Sequence, residues 1–168
     1  MDVYDVDKLM QQARKLATQY RQATGKPLGI SNEIAVHDVV RLMNLQPVVD
    51  ASESTGFDAI GSGTRLGKKI QIKGRSISGQ PKPNQRVGQI KLEQDWDSVM
   101  LILMNDNYEP LQIYEADRAE IEDAVKSSSA KRRNRGALSV ARFMKIGSLV
   151  WSCDAISGED TEKSVKSA

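Results

Sequence analysis

The stretch 56–75, GFDAIGSGTRLGKKIQIKGR, gathers the residue types that polar chemistry needs: one acid, Asp58, one amide, Gln71, and the cations Lys73 and Arg75. The polar strand face they form is the feature that the rest of the chain has to explain. The segment reads as two short strands joined by a glycine-rich turn, with Asp58 on the first and Gln71-Ile72-Lys73 on the second. Strand side chains alternate between faces, so Lys69, Gln71, Lys73 and Arg75 point one way and Ile70 and Ile72 point into a core. An ordinary solvated strand face is the other reading of this pattern.

The surrounding elements follow from hydrophobic periodicity. Leu9, Ala13, Leu16, Ala17 and Tyr20 predict a helix over 5–23 with these residues on its buried face, ended by Thr24-Gly25-Lys26-Pro27. A second helix is expected from Ser31 or Asn32 to Met43, burying Ile34, Val39, Leu42 and Met43. Glu33 lies in its first turn, where a carboxylate complements the helix dipole. His37, one turn on, suits a surface contact better than a metal shared with Glu33. Residues 46–50 read as an edge segment, followed by a turn at SESTG.

Residues 76–89, SISGQPKPNQRVGQ, read as a long loop made basic by Lys82, Arg86 and nearby Lys91. The apolar run 99–104 predicts a central strand buried on both faces. Asn105-Asp106-Asn107 turns the chain into a partner strand at 111–114. Asp117 and Glu120 have capping-box spacing ahead of a helix burying Ile121, Ala124 and Val125, broken at Ser127-Ser128-Ser129. A basic loop, Lys131, Arg132, Arg133 and Arg135, precedes a last helix near Ser139 that would bury Val140, Phe143, Met144, Ile146 and Trp151. Such a loop is either solvated or a phosphate contact.

Composition bounds the function. The 168 residues, 39% hydrophobic and 27% charged, suit one globular domain over 1–156, with the two-helix segment at about 5–43 and a disordered tail at 157–168. A net charge of +2 confines any nucleic-acid footprint to local patches. One cysteine, Cys153, excludes an internal disulfide, and one histidine excludes mechanisms that need several. No run is long enough to span a membrane and the N-terminus lacks a signal-peptide pattern, so a cytoplasmic location is expected.

Taken in order, the chain offers two helices with an early Glu33, a strand with Asp58, a strand with Gln71-Ile72-Lys73, a buried strand, a further strand and helices. This order resembles the PD-(D/E)XK nuclease superfamily, in the branch that carries Gln before x-Lys, and it covers most of 1–151. The resemblance implies an α/β (α+β) fold: a restriction-endonuclease-like core with a central mixed β-sheet flanked by helices. It implies a metal-dependent endonuclease hydrolysing DNA, with Mg2+ (or Mn2+) held by Asp58, Gln71, the Ile72 carbonyl and Glu33. Lys73 would orient water or stabilise negative charge, and Arg75 with the 131–135 loop would contact duplex DNA. Cutting both strands implies a homodimer. Gln71 stands where the family has an acid, which leaves a non-catalytic nucleic-acid-binding or protein-interaction module as the alternative.

Overall fold

The computed structural model describes residues 2–48, 56–127 and 137–153. Its elements are α1 (Val3–Thr24), α2 (Ser31–Leu42), β1 (Gln46–Pro47), β2 (Ala59–Ile60), β3 (Lys69–Ser76), β4 (Arg86–Gln89), β5 (Ser98–Met104), β6 (Pro110–Asp117), α3 (Arg118–Lys126), β7 (Ala137–Ser139), α4 (Val140–Ile146) and β8 (Ser148–Ser152). Six strands form one mixed sheet in the order β1-β2-β3-β5-β6-β8. Only the β3/β5 pair within it is parallel. A separate antiparallel ribbon pairs β4 with β7. The fold is therefore mixed α/β, with helices on a mixed sheet.

The apolar run at 99–104 sits mid-sheet, and every residue of β5 is buried. Its alternate side chains feed two cores, because successive strand residues face opposite ways. Met100, Ile102 and Met104 join Ile70 and Ile72 under Ile34, Ala35 and Val39 of α2 and Ala17 of α1. Val99, Leu101 and Leu103 face Ile121 and Val125 of α3, Val140 and Phe143 of α4, and Val87 and Leu138 of the ribbon. β5 and β6 form the expected hairpin. Glu120 closes the start of α3 by accepting the Asp117 backbone N–H at 2.8 Å. No helix among the described residues is long and apolar enough to cross a membrane.

Three expectations are corrected. The 76–89 stretch is not loop throughout: Arg86–Gln89 is a strand, held because Val87 is fully buried between the sheet and the ribbon partner. Trp151 belongs to β8 rather than to the last helix, which stops at Ile146 where Gly147 leaves helical geometry. On α1, Ala17 is buried as expected, but Leu9, Leu16 and Tyr20 are 47%, 56% and 39% exposed. The helix is instead turned by Arg14, whose guanidinium donates to both oxygens of buried Asp38 at 3.0 and 2.8 Å and to the Tyr108 carbonyl. Residues 52–55 of the SESTG turn, the 128–129 break, the 131–135 basic loop and the 157–168 tail lie outside the described residues.

Removing one partner of a buried ion pair strands the other charge in a medium that cannot solvate it. Arg14→Ala or Asp38→Ala is therefore expected to cost about 3–5 kcal/mol. Urea unfolding checks this, and a loss below about 1 kcal/mol, as for a surface pair, would contradict it.

Candidate functional site

The site begins where one strand outlasts its neighbour. β3 has eight residues and β2 has two, so the upper edge of β3 runs past the end of β2. At that point Asp58 N–H donates to the Ile70 carbonyl at 2.9 Å, one residue out of step with the Ala59↔Ile70 register. This local bulge turns the Asp58 side chain against the strand edge, where its Oδ2 accepts the Ile72 N–H at 2.7 Å. The N–H and C=O of a strand residue face the same edge, so the Ile72 carbonyl is presented on the Asp58 side.

Gln71 is 7% exposed, so the solvated-face reading fails at this residue. Its Nε2 donates to the Gly56 carbonyl at 3.0 Å. A carbonyl only accepts, which fixes the amide the other way round and leaves Oε1 inside. That oxygen is buried with no partner among the described residues. Gly56 is itself required: at φ +100°, an added Cβ would come within 2.5 Å of the Gln94 side chain.

Lys73 and Arg75 continue the same face, opposite Leu101 and Leu103 of β5. Both are half-buried. Burial pushes the Asp58 carboxyl up from its ordinary value, against the opposing pull of the Ile72 N–H and the Lys73 charge. Burial likewise lowers the Lys73 ammonium, with Asp58 resisting and Arg75 adding to the fall. The two groups are thus electrostatic neighbours that each lose hydration. Arg75 is drawn to β4, donating from Nε to the Arg86 carbonyl at 2.7 Å and from Nη1 to the Gly74 carbonyl. Gly88 makes room, since a Cβ there would lie 2.6 Å from the guanidinium.

The other expected residues stand elsewhere. Glu33 is exposed at the start of α2, on the side of the sheet opposite the Lys73 face. It borders a groove with Val6, Val36, Val40 and Pro47, and none of Asp58, Gln71 or Lys73 lines it. His37 makes its surface contact with α1, pairing with Asp7 at 3.0 Å. Lys131, Arg132, Arg133 and Arg135 lie outside the described residues. Sequence reasoning passed over Gly56 as a donor-binding carbonyl and Asp97 as an edge anchor. Asp97 takes the Lys69 N–H at 2.8 Å and returns its own N–H to the Lys69 carbonyl. Only a glycine forced to positive φ beside Asp58 signalled the first, and nothing local signalled the second.

Among the described residues, no three His, Cys, Asp or Glu side chains come together as metal ligands. The oxygens offered here are the Asp58 carboxylate and the Ile72 carbonyl on the strand edge and the buried Gln71 Oε1 on the adjacent face. In kind they fit a hard divalent cation, which prefers oxygen donors, while supplying only one negative charge. No protein-family model matches the chain, and no curated protein matches it in sequence. Function then rests on the chemistry of the site.

Because the folded-state pKa of Asp58 is raised, the native protein binds this proton more tightly than the unfolded chain. That contribution is complete below the ordinary value of 3.8 and is lost as pH rises through the raised one. Asp58→Asn keeps an oxygen for Ile72 N–H without the charge, so it should melt above wild type at neutral pH, with the gap closing on acidification. Thermal melts across pH check this; a variant less stable than wild type at neutral pH would contradict it.

Proposed function

We propose that the protein is a metal-dependent endonuclease hydrolysing DNA phosphodiester bonds on a restriction-endonuclease-like core. The observation that carries this reading is Gln71 Oε1, buried with no partner among the described residues, on the strand that also bears the Asp58-bound Ile72 and Lys73. A buried polar atom without a partner costs about 1–3 kcal/mol, a cost that a bound ligand would remove. The succession of an Asp-bearing bulge, a Gln-x-Lys strand and a buried parallel neighbour supports the same reading.

A magnesium or manganese ion held by Asp58, Gln71 and the Ile72 carbonyl would supply charge neutralisation on the phosphoryl oxygens and a more acidic water. Asp58 must be ionised to bind, so its raised pKa makes proton and cation compete for one oxygen pair. Lys73 carries the positive charge beside this edge and can orient a water or oppose charge building on the phosphate. Its lowered pKa also eases proton release. Glu33, across the sheet, is not in this ligand set. Gln71 itself favours a second reading: a neutral amide in place of an acid suits a non-catalytic nucleic-acid-binding module.

Supercoiled plasmid incubated with magnesium or manganese separates the two. Wild type should nick it, and Asp58→Ala and Lys73→Ala should each lose at least about 100-fold in rate. Gln71→Glu adds a second carboxylate and should lower the metal concentration needed for half-maximal cleavage. Salt-dependent DNA binding with no nicking under either metal would replace the enzyme by the binding module.

A further inference from the structure

Four of the residues that α1 was expected to bury, Leu9, Ala13, Leu16 and Tyr20, form with Val6 a continuous apolar line along the flank of the helix. Val6, Leu9, Ala13, Leu16 and Tyr20 are spaced three, four, three and four apart, the repeat of a coiled-coil seam. Val6, Leu9, Leu16 and Tyr20 are 39%, 47%, 56% and 39% exposed. The side turned to the body is a different one, set by Arg14 and Ala17. A stripe this regular on a 22-residue helix asks for a second helix.

The stripe is self-complementary about its centre. A two-fold axis at Ala13 would set Leu9 beside Leu16 of the other copy and Val6 beside Tyr20, with the smallest residue where the helices approach closest. Charge selects the antiparallel sense. Before Ala13 the helix carries Asp2, Asp5 and Asp7 against one cation, Lys8, and after it come Arg14, Lys15, Arg21 and Lys26 with no acid. Antiparallel pairing brings acidic ends toward basic ends, whereas parallel pairing stacks like charges. Val6 also borders the groove formed with Val36, Val40 and Pro47, an apolar seat for the incoming Tyr20.

We propose that α1 is a dimerisation helix that pairs antiparallel with α1 of a second copy of this chain, through Val6, Leu9, Ala13, Leu16 and Tyr20. The pairing stands independently of the nuclease reading, because none of the five residues belongs to the Asp58 edge.

Sedimentation velocity at micromolar concentration should show a dimer. The double variant Leu9→Glu/Leu16→Glu should be monomeric with wild-type helical circular dichroism. Leu66→Glu, at an 81% exposed leucine outside α1, should remain dimeric. In a Cys153→Ser background, Val6→Cys mixed with Tyr20→Cys should give a disulfide-linked heterodimer under mild oxidation, and Val6→Cys alone should not link. The cross-links decide the matter if the double variant does not fold. A monomeric wild type, a dimer that survives both glutamates, or self-linking of Val6→Cys would each overturn the proposal.

Discussion

A backbone N–H inside a sheet must find an acceptor, and at Ile72 the neighbouring strand has already ended. Asp58 supplies that acceptor, and the hydrogen bond holds a carboxylate against a strand buried on the Ile70 and Ile72 face and half-buried at Lys73 and Arg75. Burial of the strand is what desolvates Asp58, Lys73 and Arg75 together and moves all three pKa values. An apolar residue at 58 would leave the Ile72 N–H bare, so the acid has a structural role in the sheet.

The rest of the molecule keeps this edge in place. Arg118, at the start of α3, donates to the carbonyls of Leu92, Gln94 and Trp96 and lies 4.1 Å over the Trp96 ring. That clamp fixes the segment before β5, and Gln94 in turn abuts Gly56, whose carbonyl orients Gln71. On the other side, Gly74 lets α2 approach β3 so closely that an added Cβ would meet that of Ala35 at 2.4 Å. The strand thus carries desolvated polar groups, Gln71 Oε1 among them without a partner among the described residues, and is braced from both sides.

Much of this was legible in the sequence. The 99–104 run read as doubly buried because nothing in it is polar, and the Asp117 and Glu120 spacing marked the start of α3 without ambiguity. Gln71 and Lys73 share a face as strand alternation dictates, whereas Asp58, expected on the first strand, stands just before β2 begins at Ala59. What failed depended on distant partners. Val87 is one buried residue among Pro, Gly and Gln, so β4 exists only through β7. Trp151 falls at helical spacing from Phe143 and Met144, yet Gly147 redirects the chain into β8. The apolar stripe of α1 was read correctly as apolar and wrongly as inward, because its rotation is set by Asp38, 24 residues from Arg14. Glu33 sits in its expected helix, but no local pattern gives the side of the sheet on which that helix packs.

The central claim is that Asp58, Gln71 and the Ile72 carbonyl form one cation-binding edge. Anomalous diffraction from crystals soaked in manganese reads it directly. A manganese peak about 2.2 Å from an Asp58 oxygen and Gln71 Oε1 is the predicted result. Manganese bound elsewhere, or the Gln71 oxygen capped by a protein donor with the edge empty at saturating metal, would contradict it.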